Sequence, residues 1–264
     1  MKIIKAFGLT LLVTVVYYIP QAILVFLAKY TELSIDLFNP NFQMVWNLSS
    51  VMAYLLIFYF FWKPKPDFSS FLDTDGLTIK RIGYLALIAV GLGLAGQPFW
   101  DYDRLIEYFQ DSSFEPYTRQ FGEIDLHYFY SLIGALVIAP IFEELFFREF
   151  LFSKLLEKNK LYIAIIISSI CFSAIHFETI GNLIPSFTFG VVSCLTYFKT
   201  KKISYSILLH FINNLFATTT NIYGESYYTW LDGLRYDLVY WLLFIVGVLV
   251  TILGIKKITI PYKG

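Results

Sequence analysis

The stretch ALVIAPIFEELFFREFLF, residues 135–152, decides how the chain is read. It is apolar enough for a bilayer, yet within seven residues it carries Glu143, Glu144, Arg148 and Glu149. An ionisable side chain at the centre of a membrane helix costs about 2.5–3.5 kcal/mol on insertion scales. If the run ended early, Glu149 could sit at the interface. Glu143 and Glu144 could not, because LFF and FLF continue the apolar run behind them. Helical spacing then separates the two glutamates. Glu144 and Arg148 are four residues apart, share a face and can pair. Glu143 is rotated by about 100° from Glu144, and the residue four beyond it is Phe147. Glu143 is therefore left without a counter-ion in its own helix, the situation of a general base or acid.

Working outward, the whole chain is membrane-like. Its 264 residues are 57% hydrophobic and 20% aromatic, with 15% charged, and the mean hydropathy is +0.62. Eight hydrophobic spans, each near the ~20 residues that cross a bilayer core, are expected at roughly 6–28, 44–62, 82–99, 128–152, 161–178, 183–198, 203–222 and 237–255. The first is too long for the core of a cleaved secretory signal and reads as an uncleaved span. With the N-terminus inside, fifteen Lys and Arg fall in cytoplasmic segments and four (Lys29, Arg104, Arg119 and Arg235) in outer ones. This asymmetry predicts both termini on the cytoplasmic side. The expected fold is thus all-α, a polytopic bundle of about eight transmembrane helices forming one domain over 1–264, with the motif core at 128–222. The long outer connection 101–128 is acidic and aromatic, and LIEYF within it suits a short interfacial helix. KPKPD (63–67) reads as a stiff cytoplasmic turn. Cys171 and Cys194 lie inside spans and read as packing residues.

Partners for Glu143 must come from other spans. His127 fits the outer mouth of span four. His176 ends span five, and His210 lies within span seven, with Asn214 four residues on and on the same face. A lone intramembrane histidine is usually a helix-packing residue. Two histidines, an asparagine and a glutamate pair on three helices form the kind of set from which bundles build sites.

EELFFR (143–148), FSAIH (172–176) and HFINN (210–214) resemble the three signatures of the CPBP family, in order and on three separate spans. These are glutamate-type intramembrane endopeptidases, including the type II CAAX prenyl endopeptidases and the Abi-like, bacteriocin-associated proteins. The resemblance covers about 72 residues. It implies peptide-bond hydrolysis in which Glu143 activates a water and His176 helps to position it. His210 and Asn214 would donate to the oxyanion. Glu144 and Arg148 would be a supporting pair, with Phe172 opening the second motif. No cofactor is required on this reading. Glu143, His176 and His210 also make a conceivable zinc set. The expected surroundings are a bacterial plasma membrane and a peptide or protein substrate, without nucleic acid. Two other classes fit the composition: a non-catalytic membrane partner, such as a bacteriocin immunity protein or an adaptor for a sensor kinase or cell-wall enzyme, and a proton-coupled transporter. Transporters usually show repeated halves, and no repeat is apparent.

Overall fold

The computed structural model describes residues 1–31, 40–64, 73–110, 125–177 and 179–258. Among them every regular element is a helix: α1 (Ile3–Thr31), α2 (Pro40–Phe61), α3 (Ile79–Trp100), α4 (Tyr102–Gln110), α5 (Leu126–Leu156), α6 (Leu161–Ala174), α7 (Ile180–Thr200), α8 (Ile203–Tyr223), α9 (Glu225–Gly233) and α10 (Leu238–Lys257). Six of these, α1, α2, α3, α5, α7 and α10, are long and apolar enough to cross a membrane. The protein is a multi-pass integral membrane protein. All eight expected spans are helical, but two are atypical. With 14 residues, α6 reaches only about 21 Å at 1.5 Å per residue. Although α8 has 21 residues, it carries His210, Asn213, Asn214 and three threonines. The expected interfacial helix is α4. Most of 63–67, and the stretch 111–124 of the outer connection, lie outside the described residues.

The basic segments gather at one end of the bundle. The Met1 ammonium donates to the Lys154 carbonyl, and Asn159 Nδ2 donates to the Met1 carbonyl at 3.2 Å. Ser153 and Tyr197 hydroxyls meet at 3.4 Å. Lys202 Nζ binds Asp73 at 2.7 Å, and Lys199 Nζ donates to the Ile255 carbonyl at 3.0 Å. Met1, the α5–α6 turn, the α7–α8 turn, the 73–78 loop and the end of α10 therefore share one end.

Where α3 crosses α10, the backbones touch. A Cβ on Gly91 would lie 2.8 Å from the Gly247 carbonyl oxygen, and one on Gly247 would lie 2.7 Å from the Gly91 oxygen. Close approach of this kind replaces the hydrophobic drive that lipid does not provide between helices.

α5 is not a plain α-helix. Gly134–Ile138 and Leu145–Phe152 are π-helical and flank the six-residue α-helical piece Ala139–Glu144. Proline explains the first. The Ala139 N–H reaches back to the Gly134 carbonyl. In that register the next donor would be residue 140, but Pro140 has no N–H. The Ala135 carbonyl is left without its backbone donor, and Asn214 Nδ2 supplies one from α8 at 2.7 Å. π-Turns are rare and often mark functional sites.

Candidate active site

Glu144 is fully buried, and its carboxylate is surrounded by donors. Oε2 accepts from the Ser193 hydroxyl at 2.6 Å and lies 3.1 Å from Arg148 Nε. Oε1 lies 2.9 Å from His210 Nδ1. The Glu144–Arg148 pair expected from spacing is present, but Glu144 is more than a counter-ion. It ties α5 to α7 through Ser193 and to α8 through His210. Arg148, also fully buried, makes no hydrogen bond among the described residues. Its charge rests on ring faces as well as on Glu144. Cζ is 4.3 Å from the Phe172 centroid, 5.5 Å from Phe189 and 6.0 Å from Phe147. Desolvated contacts of this kind are worth about 2 kcal/mol.

Glu143 has the opposite surroundings. Its Oε2 is buried and has no hydrogen-bond partner among the described residues. The side chain lines a cavity of about 210 Å³ together with His176. Tyr17, Tyr18, Trp46 and Tyr54 wall this cavity from α1 and α2. The Trp46 ring stands edge-on to Tyr17 and Tyr18, with centroids 5.1 and 5.6 Å away. His176 Nδ1 lies 2.9 Å from the Phe172 carbonyl oxygen. Since a carbonyl only accepts, Nδ1 carries the hydrogen and the neutral ring keeps its lone pair on Nε2.

His210 is buried, and with Nδ1 held by Glu144 its Nε2 is the ring nitrogen free to serve a second cavity. That cavity measures about 340 Å³ and also contains Asn214, Phe172 and His176. His176 and Asn182 line both cavities. Phe172 sits between the histidines, its centroid 4.8 Å from His176 and 6.0 Å from His210. The two histidines thus meet around one ring, although they stand at different distances from the basic ends of their helices. The shortness of α6 and the turn after Ala174 place His176 just beyond Phe172.

The structure therefore brings Glu143 and His176 to one cavity, and His176, His210 and Asn214 to the other. Among the described residues no three His, Cys, Asp or Glu side chains converge to hold a metal ion. The conceivable zinc set is split, because His210 turns to Glu144 rather than to Glu143. Cys171 and Cys194 are buried, free thiols. Ser193 and the aromatic wall from α1 and α2 were not among the expected site residues. A serine inside VVSCL carries no signal, whereas Pro140, three residues ahead of Glu143, could have announced the freed carbonyl.

Residues 125–216 match the family described as type II CAAX prenyl endopeptidase Rce1-like. An 86-residue stretch is 31% identical to the protein named "Putative membrane peptidase YdiL" of Bacillus subtilis (strain 168), covering 33% of this chain and 35% of that protein. A 155-residue stretch is 28% identical to UPF0177 protein YbdI of Lactococcus lactis subsp. lactis (strain IL1403), covering 59% of this chain and 83% of that one. The chain thus spans about a third of the Bacillus relative and most of the Lactococcus one. No solved structure matches. The match falls on the segment that holds all three motifs, so the likeness to that family is carried by this part of the chain.

Proposed function

We propose that the protein is an intramembrane endopeptidase that hydrolyses a peptide bond with a water activated by Glu143. The observation that carries this reading is the buried, unpartnered Oε2 of Glu143 in the cavity it shares with His176. Leaving a buried acceptor unsatisfied costs about 1–3 kcal/mol, a cost that a catalytic group recovers when it binds water or substrate.

Glu143 takes a proton from the water while the lone pair of His176 Nε2 accepts the water's other hydrogen and orients it. The hydroxide adds to the scissile carbonyl carbon. The carbonyl oxygen becomes an oxyanion, stabilised by the Nε2 hydrogen of a doubly protonated His210, whose Nδ1 hydrogen goes to Glu144, and by the Nδ2 hydrogen that Asn214 does not give to Ala135. Glu143 then passes its proton to the amine as the C–N bond breaks. Glu144 orients His210 through Nδ1, as the carboxylate of a catalytic triad orients its histidine. Both termini lie on the cytoplasmic side in this reading.

Comparative peptidomics of membranes containing the wild-type protein or Glu143→Gln tests the activity. A set of peptides present only with the wild-type protein is expected. Identical peptide profiles, with the Glu143→Gln protein still supporting the cellular phenotype, would replace the enzyme with a non-catalytic membrane partner.

A further inference from the structure

The larger cavity is walled by carboxamides as well as by aromatic rings such as Phe172, Phe189 and Phe216. It runs from His210 and Phe189 to Trp100 and Tyr227, at the end of the bundle away from the basic loops. Five carboxamides line it: Gln97, Asn182, Asn213, Asn214 and Asn221. Three have partners. Gln97 donates to Asp101, Asn182 accepts from Ser186, and Asn214 donates to Ala135. Asn213 and Asn221 have no hydrogen-bond partner among the described residues. Asn213 is half-buried and Asn221 exposed, so both carboxamides stay open to whatever enters the chamber. Such groups are kept where something polar comes to them.

We infer that this chamber seats an unlipidated polypeptide segment in extended form. The inference rests on the peptidase reading and narrows its substrate class. An isoprenoid or acyl chain gains free energy only by moving apolar area from water onto apolar walls. In this chamber it would cover the aromatic walls but also strip water from the carboxamides and return no hydrogen bond. A peptide backbone presents a donor and an acceptor at each residue, and every Asn or Gln side chain offers both in return. Position supports the same conclusion. His210 and Asn214 stand on the chamber wall, and the shared His176 and Asn182 separate it from Glu143. A peptide lying along the carboxamides brings a backbone carbonyl to the oxyanion donors with the Glu143 cavity beyond it. The aromatic recess of Tyr17, Tyr18 and Trp46 is then placed to take one large side chain beside the scissile bond.

The test uses the full-length Glu143→Gln protein in lipid nanodiscs, so that nothing bound is cleaved. The probes are short mixed-sequence peptides bearing a benzophenone photo-crosslinker, one set with a farnesylated cysteine and one without. Labelled residues are mapped by mass spectrometry. The unmodified set is expected to label segments 182–189 and 210–221. Asn213→Leu with Asn221→Leu should lower that labelling about tenfold, as loss of one or two hydrogen bonds would. Asn221→Gln should retain it. Melting of each variant in detergent confirms that the fold is intact, and Asn221→Leu alone, at an exposed position, provides the same comparison should the pair unfold. Labelling confined to the farnesylated set, or labelling of the unmodified set that the leucines leave unchanged, would overturn the inference. If the chamber is labelled but the protein with Glu143 intact cleaves none of the unmodified peptides, the peptidase reading fails while the seat for a polypeptide stands.

Discussion

Glu143 and Glu144 are neighbours in the chain and opposites in circumstance. Glu144 is fully buried and held by Ser193, Arg148 and His210 from three helices. Glu143, one residue earlier, presents a buried oxygen to a cavity with no partner among the described residues. The helix itself makes the division, since a step of about 100° turns one side chain into the bundle and the next toward the aromatic recess. Two carboxylates of equal insertion cost therefore do different work. The satisfied one organises the bundle around it, and the unsatisfied one is the base of the proposed reaction.

The sharpest way to break this comparison is to neutralise each glutamate separately. Glu143→Gln should lower peptide cleavage by roughly the 10²–10⁴-fold that a positioned general base supplies. Its melting temperature should stay level or rise, because an unpaired carboxylate has been removed. Glu144→Gln should instead destabilise the protein, by about 3–5 kcal/mol, since it leaves Arg148 as an uncompensated buried charge. Melting in detergent reads both. Equal destabilisation by the two changes would place Glu143 inside the structural ion network and end its assignment as base.

The pair can also be removed whole. Spacing alone says that Glu144→Gln with Arg148→Met should recover much of the lost stability, because no lone charge remains. The structure sharpens that expectation. His210 Nδ1 and the Ser193 hydroxyl would still face an amide in place of a carboxylate, so stability should return further than activity. Full recovery of both would mean that Glu144 acts on Arg148 alone.

Much of this was legible in the chain. The helical class and the Glu144–Arg148 pair follow from local periodicity, which a span preserves wherever it sits, and the three motifs were read from their resemblance to a known family. What stayed hidden is what depends on contacts between distant segments. Nothing in LLHFINN indicates that His210 pairs with Glu144, 66 residues earlier. The run LYIAIIISSICFSAIHF reads as one span, yet the helix stops at Ala174 and turns, and this early stop brings His176 beside Phe172. The first π-turn was hidden because its register depends on Pro140 acting together with Asn214 on another helix.

Asn214 offers a smaller effect that separates architecture from chemistry. Asn214→Ala should cost about 1–3 kcal/mol by orphaning the Ala135 carbonyl. Adding Pro140→Ala supplies a backbone N–H to that carbonyl and should restore stability. Activity should remain down by roughly the 10²–10³-fold that one oxyanion donor is worth. If the second change restores activity as well, Asn214 fastens α8 to α5 and does nothing to the oxyanion.

The smallest effect comes from a third carboxylate, Asp73, which is exposed where Glu143 and Glu144 are not. The Lys202 ammonium, 2.7 Å away, holds its carboxyl below the ordinary value of 3.8, helped by the Asp75 N–H. A depressed carboxyl favours the folded state at pH above the ordinary value, and that contribution disappears as pH falls through the lowered one. Lys202→Gln should therefore narrow the melting-temperature gap between neutral and acidic solution, by less than any change above, because solvent and salt screen an exposed pair. Raising the salt concentration should shrink the gap in the wild-type protein in the same way, whereas the difference between Glu144→Gln and wild type should resist salt, since that network is closed to water. Equal sensitivity of both to salt would mean that water reaches Glu144, and the contrast between the two adjacent glutamates would lose its physical basis.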